Sequence, residues 1–256
     1  MELKDARVLV TGASSGIGRS CAAKFAEAGA KLLITARRRD RIDVLAGELK
    51  GKYHTDCLTM ELDIRDRKTV EKAFANLPKE WETIDILVNN AGLSRGLDKL
   101  HEGKIDDWEE MIDTNIKGLL YVSRAVIPGM VARKRGTIIN IGSIAGHEVY
   151  PRGNVYAATK HAVDALTKGM RLDLVDTPVR VCTVDPGLVE TEFSVVRFRG
   201  DKEKAKAVYQ NLEPLSPDDI ADAVVFCATR PQHVQIAEMI VLPTAQASTT
   251  LVHRRN

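Results

Sequence analysis

Short apolar runs alternate with longer amphipathic stretches along the whole chain. Arg7-Val8-Leu9-Val10 predicts a strand, followed by a glycine turn and a helix over about Gly16 to Ala28. A second strand is predicted at Lys31 to Thr35, then a charged helix from about Asp40 to Leu49. The third strand, Leu58 to Leu62, precedes a helix from Asp66 to Asn76, and the fourth, Ile84 to Val88, ends at Asn89-Asn90-Ala91-Gly92. One long helix is predicted from about Asp107 to Arg133, then a strand at Gly136 to Ile141 and a helix over about Val155 to Val175. Val179 to Val184, a helix at Pro217 to Thr229 and a strand at Glu238 to Leu242 complete the pattern. Strands that are apolar throughout and separated by helices imply a parallel sheet covered on both faces. Right-handed crossovers make this a doubly wound α/β fold of Rossmann type with about seven strands. Without a repeat, a linker or a shift of composition, residues 1–256 are expected to form one domain.

Composition narrows the classes. At 256 residues and 44% hydrophobic the chain has ample material for a core. Lys and Arg number 37 against 35 Asp and Glu, a near balance that argues against a dedicated nucleic-acid binder. Aromatics at 5% supply few base- or sugar-stacking surfaces. The four cysteines lie far apart without a C-x-x-C pair, and the histidines lack ligand spacing, so no metal is expected. Cys182 and Cys227 sit inside apolar runs and read as small buried hydrophobes. The charged start resembles no signal peptide, and no apolar stretch approaches membrane-spanning length. A cytoplasmic protein without membrane or nucleic-acid partners is the expectation.

In such a sheet ligands bind beyond the carboxyl ends of the strands. Thr11-Gly12-Ala13-Ser14-Ser15-Gly16-Ile17-Gly18 follows the first strand and opens the first helix. Its glycines permit a tight turn and close approach to a pyrophosphate, whose charge a helix N-terminus stabilises. After the second strand comes Arg37-Arg38-Arg39, where an NAD site would carry an acidic residue for the ribose hydroxyls. Arginine suits a 2′-phosphate instead. Arg37 is the first choice for that contact and Arg38 the second, so the cofactor expected is NADP.

Tyr156 and Lys160, four residues apart, share one face of the predicted fifth helix. A nearby ammonium stabilises phenolate and makes tyrosine a usable base. A surface tyrosine packed on a lysine stem reads the isolated pair equally well, and alone Ser143 is a helix cap and Asn115 a helix irregularity. Together the chain resembles a short-chain dehydrogenase/reductase. The matches are Thr11 to Gly18, Asp63, Asn89 to Gly92, Asn115, Ser143, Tyr156 with Lys160, and Pro186-Gly187. They occur in that family's order and span most of the chain.

The resemblance implies that Tyr156 exchanges a proton with the substrate oxygen and that Ser143 hydrogen-bonds that oxygen. Lys160 lowers the pKa of Tyr156 and binds the nicotinamide ribose, and Asn115 holds a water of the proton relay. Around the cofactor it implies contacts from the glycine turn (Gly12, Ser14, Ser15, Gly16, Ile17, Gly18). Asp63 and Ile64 are implied at the adenine, and Asn89, Ala91 and Gly92 along the cleft. Pro186, Gly187, Val189 and Thr191 are implied over the nicotinamide.

Leu77 to Trp81, Asp107 to Leu119 and Thr191 to Phe198 are similar to one branch, the NADP-dependent 3-hydroxy acid dehydrogenases. The branch implies a small hydroxy acid, such as serine, allo-threonine or 3-hydroxypropionate, and a homotetramer. Such an acid needs a cation for its carboxylate. Arg197 and Arg152 are candidates, with Phe193 as a lid over the pocket and 187–212 as the substrate loop. Two other readings stay open: a carbonyl reductase of another substrate class, and a non-catalytic NADP-binding sensor.

Overall fold

The computed structural model describes residues 2–255. Seven strands form one parallel sheet: β1 Arg7–Thr11, β2 Lys31–Ala36, β3 Cys57–Glu61, β4 Ile86–Asn89, β5 Gly136–Ile141, β6 Val179–Pro186 and β7 Glu238–Val241. Their order is β3-β2-β1-β4-β5-β6-β7. The chain leaves β1 towards one edge and β4 towards the other, so a crevice opens above the β1–β4 junction, where ligands bind in such sheets. Registers such as Thr11 with Thr35, Val10 with Val88 and Asn89 with Asn140 bring the carboxyl ends of the central strands level.

Period-two alternation sends side chains of one strand into two cores. Val8, Val10, Leu32, Ile34, Ile86 and Val88 pack under α1 (Gly16–Glu27), α2 (Arg39–Tyr53) and α9 (Pro217–Thr229) with fully buried Phe25. Leu9, Leu33, Leu87 and Ile138 face the other way, with Trp81, Val126 and Met130. Both faces of the central strands are thereby buried, which is why those runs are continuously apolar. Each large side chain so enclosed contributes about 1.5–3 kcal/mol of transfer free energy. The edges differ from the expectation of strands apolar throughout. β3 is half-buried and ends on exposed Glu61, and β7 is half-exposed, because an edge strand is covered less completely. Cys21, Cys182 and Cys227 are buried as free thiols.

The long helix predicted from Asp107 is interrupted. α4 (Ile105–Ile112) and α5 (Leu119–Ala132) are joined by a π-helical turn at Asp113–Gly118, which contains Asn115. A π-turn inserts one extra residue and re-aims its neighbours, which periodicity alone does not reveal. α3 (Arg67–Ala75) and α6 (Asn154–Asp173) match their predicted helices, whereas α7 (Glu192–Arg197) and α8 (Lys202–Ala207) lie in a segment predicted as loop. The tail after β7 is fastened to this same segment. Buried Gln246 accepts from Leu188 N at 2.8 Å, Arg254 donates to Val208 O at 3.0 Å, and Arg255 N donates to Asn211 O at 2.8 Å.

Candidate active site

A cleft of about 470 Å³ lies above the β1–β4 junction, floored by the strand ends and roofed by 187–212. On the floor, the turn after β1 has Gly12 at φ 67°, and a Cβ there would come within 2.8 Å of Ala91 Cα. The turn is held by Thr11, whose hydroxyl accepts from the Asn90 and Ala91 amides at 3.0 Å. Gly16 at φ 53° faces Thr191, against which a Cβ would stand at 3.3 Å. Both glycines let the backbone of the turn pack closely against its neighbours at the edge of the cleft. Gly12, Ser14, Ser15, Gly16 and Ile17 line it. Gly18 does not: a Cβ there would meet the Gly12 carbonyl oxygen at 2.6 Å, so this glycine lets α1 close on the turn.

The arginines after β2 divide. Arg38 donates through Nε and Nη2 to Ser14 Oγ at 3.2 and 2.9 Å, and through Nη2 to Ser15 Oγ at 2.9 Å. Arg37 also lines the cleft but points to Glu110, 3.7 Å away. Glu110 gathers Arg95 at 2.6 Å and Arg65 at 3.5 Å as well, and Arg65 holds Asp63 at 2.6 Å. Burial pushes the Asp63 carboxyl up, but the Arg65 guanidinium and amide outweigh it and hold it below the carboxylate range. Asp63 and Ile64 form the cleft wall on this side.

Two expected cleft residues are turned away, and a third changes purpose. Asn89, at the end of β4, points into the core, donating to Ser123 Oγ at 3.0 Å and Asn140 Oδ1 at 2.9 Å. Asn90, one residue on, lines the cleft and donates to Thr11 O at 2.8 Å. Successive strand residues face opposite ways, so only one of the pair can reach the cofactor side. Asn115 is buried behind the wall. Its Oδ1 accepts from Leu93 N at 2.8 Å, and its Nδ2 donates to Leu93 O at 2.9 Å and Thr159 Oγ1 at 3.0 Å. Both amide hydrogens are spent on protein, so its side chain positions Leu93 instead of donating to a relay water. Arg152 sits exposed on a turn at φ 67° and does not line the cleft, which removes it as a carboxylate ligand.

Ser143, Tyr156 and Lys160 converge on the cleft. Ser143 lies two residues past the end of β5, and its Oγ accepts from Ala145 N at 3.1 Å. Gly142 before it admits the buried Asp185 carboxylate, whose Oδ1 lies 1.8 Å from where a Cβ would sit. Lys160, one turn after Tyr156 on α6, donates from Nζ to Ile141 O at 2.8 Å. Burial lowers its pKa to about 8 against the opposing charge of Asp185. The Tyr156 phenol goes the other way. Burial and Tyr150 push it up to about 12, while Arg197 and Ser143 work against them. Desolvation is the largest of these effects. The cation nearer the ring is Arg197, its guanidinium carbon 5.3 Å from the centroid against 5.9 Å for Lys160 Nζ.

Arg197 hangs from the roof. It donates to Ser94 Oγ at 3.1 Å and Tyr150 Oη at 2.9 Å and lies 5.0 Å from the Phe193 ring centroid. Phe193 meets the Tyr156 ring edge-on at 5.5 Å. Pro186, Gly187, Val189 and Thr191 form the rest of the roof. Tyr150, Tyr209, Gln246 and Thr249 complete the pocket. The sequence offered no periodic or motif signal for the last two, since the tail reaches the cleft only through its own loop contacts. Glu148, two residues before Tyr150, accepts from Thr249 N at 2.9 Å.

Outside the cleft, ligand atoms of His147, Asp164 and Glu238 lie within 4.8 Å of one another. Lys168 holds Asp164 at 2.7 Å, and His147 Nε2 faces Asp185 Oδ2 at 3.2 Å.

The short chain dehydrogenase model matches residues 6–202. The NADP-dependent 3-hydroxy acid dehydrogenase of Schizosaccharomyces pombe is 47% identical over 249 residues, 97% of this chain and 96% of that protein. Its counterpart in Escherichia coli strain K12 is 48% identical over 250 residues, covering 97% and 99%. The closed form of a serine dehydrogenase complexed with NADP+ superposes with a TM-score of 0.91 at 47% identity, covering 98% of this chain and 100% of that one. Matched by that model over residues 6–202 and by these relatives over nearly its whole length, the chain belongs to the short-chain dehydrogenase family.

Proposed function

We propose that the protein is an NADP-dependent dehydrogenase of small 3-hydroxy acids. The observation that carries this reading is the position of Arg197: a guanidinium beside Tyr156, inside the cleft, where the carboxylate of a short hydroxy acid falls when its hydroxyl meets the tyrosine. The relatives named for this activity support the reading over their whole length. The glycine turn that lines the cleft and the polar groups of Ser14, Ser15 and Arg38 suit a phosphorylated dinucleotide, with Arg38 the better placed arginine for the 2′-phosphate.

The bound NADP supplies hydride acceptance and donation. The chain orients and handles the proton. Tyr156 exchanges it with the substrate oxygen, Ser143 donates a hydrogen bond to that oxygen, and Arg197 fixes the carboxylate end. Lys160, charged below its lowered pKa, favours phenolate from one side as Arg197 does from the other. Asn115 and Leu93 keep the wall opposite in place.

The whole chain acts as one catalytic unit in this reading, with 187–212 as its substrate lid. A cytoplasmic location is part of the proposal, supported by the absence of any helix among the described residues long and apolar enough to cross a membrane. A homotetramer is also proposed. Exposed Leu172 and Val175 at the end of α6, Phe226 on α9 and Ile240 on edge strand β7 offer apolar surface for it. Light scattering of the purified protein tests the assembly.

The activity is tested by nicotinamide absorbance with NADP and NAD across serine, allo-threonine, 3-hydroxypropionate and neutral alcohols of the same size. Turnover of the acids with NADP and little of the alcohols is expected. Turnover restricted to neutral or bulky substrates overturns the substrate class and the role of Arg197 while leaving the family intact.

A further inference from the structure

The first residue of the lid helix α7 reaches across the cleft mouth to the arginines after β2. Glu192 Oε2 accepts from Arg38 Nη1 at 3.0 Å, and Arg41 Nη1 donates to Oε1 at 2.7 Å and to Oε2 at 3.0 Å. Arg38 is thus held by two edges. One nitrogen faces Glu192, and the other two face the hydroxyls of Ser14 and Ser15. Thr191, the residue before, caps α7 through a bond from Phe193 N at 3.1 Å and packs against Gly16. At the far end of α7, the Arg197 carbonyl accepts from Gly96 N at 3.0 Å, and its side chain lies over Tyr156. The helix is a short bar pinned to the cofactor turn at one end and to the reaction centre at the other.

We propose that Glu192 is a specificity-determining residue that clasps Arg38 and Arg41, aims the Arg38 guanidinium at the 2′-phosphate position beside Ser14 and Ser15, and fastens the lid over the bound cofactor. Charge explains why two arginines are needed. A carboxylate paired with Arg38 alone would cancel the cation meant for the phosphate. With Arg41 sharing Glu192, one positive charge is left facing the cleft. Because the clasp is half exposed, it is worth little as bulk stability, and its effect falls on the loaded state, whose lid it holds down. NADPH, which engages Arg38, feels it more than NADH.

This inference rests on Arg38 as the 2′-phosphate ligand, and the test separates the two. Binding and dissociation of NADPH and NADH are followed by nucleotide fluorescence with the wild-type protein, Glu192→Gln, Arg41→Ala, Arg38→Ala and the Glu192→Gln/Arg38→Ala double variant. Glu192→Gln is expected to weaken NADPH by about 2- to 5-fold, through faster release, with a smaller change for NADH. Arg41→Ala follows it in direction. In the Arg38→Ala background, adding Glu192→Gln changes NADPH affinity little. If Arg38→Ala loses both nucleotides equally, the reading of Arg38 fails and the inference falls with it. If Arg38→Ala loses NADPH selectively but Glu192→Gln binds NADPH unchanged or more tightly, Glu192 is a bystander or a competing anion, and the clasp alone is overturned.

Discussion

The guanidinium carbon of Arg197 lies 5.3 Å from the centroid of the Tyr156 ring, although the two residues come from different layers of the molecule, one from the roof and one from α6. Tyr150 and Ser94 hold that guanidinium on two sides, so it is aimed and not merely near. Arg197→Ala is expected to raise the KM for hydroxy acids by roughly 10- to 100-fold, the worth of one charge-assisted contact to a carboxylate. Neutral alcohols should lose far less. Steady-state kinetics on matched acid and alcohol pairs check this, and equal losses would assign Arg197 to packing.

Tyr156 carries the proton in the proposed chemistry. Tyr156→Phe removes the acid/base while keeping the ring that packs against Phe193. The expected outcome is a fall in kcat of about 10²- to 10⁴-fold with NADPH affinity kept within a few-fold. Turnover measured beside a fluorescence titration decides it; substantial residual activity would place the proton elsewhere.

Periodicity made the central fold legible, because strands buried on both faces leave short continuous apolar runs. The failures have local causes. The π-turn at Asp113–Gly118 has the same composition as a helix, and only the extra residue, visible in coordinates, turns Asn115 towards Leu93. Asn89 and Asn90 are identical in type, so the motif could not say which faces the cleft; the strand register does. Arg37 and Arg38 are adjacent and identical in type, and contacts distant in sequence separate them: Glu110 draws one away, and Ser14 and Ser15 receive the other. α7, Gln246 and Thr249 depend on contacts between segments distant in sequence, for which no spacing rule exists.

Asn115 satisfies both backbone polar groups of buried Leu93. Asn115→Ala strands them without partners, at a cost of about 2–4 kcal/mol. Thermal unfolding should show Tm lowered by roughly 5–15 °C. A positioning role predicts that activity at low temperature recovers in part, since the proton-carrying groups remain. An unchanged Tm with a displaced pH–rate profile would restore Asn115 to the relay.

Lys160 should leave a signature in the pH dependence of stability. Its pKa falls from 10.5 in the unfolded chain to about 8 in the fold, because burial disfavours the ammonium. Between those values the unfolded state binds more protons, so stability rises with pH across that window, and below it the full penalty of a buried charge is present. That penalty is at most about 3 kcal/mol. Part of it is offset by the bond to Ile141 O, which any apolar replacement forfeits. Lys160→Met, of similar length and without charge, is therefore expected to be more stable than the wild-type protein at neutral pH in the absence of NADP. The advantage should shrink steadily from about pH 8 and vanish or reverse by about pH 10.5. Urea unfolding of both proteins across that range checks the sign. A difference independent of pH would mean that the ammonium is not desolvated in the folded state, and that Lys160 reaches water through the cleft.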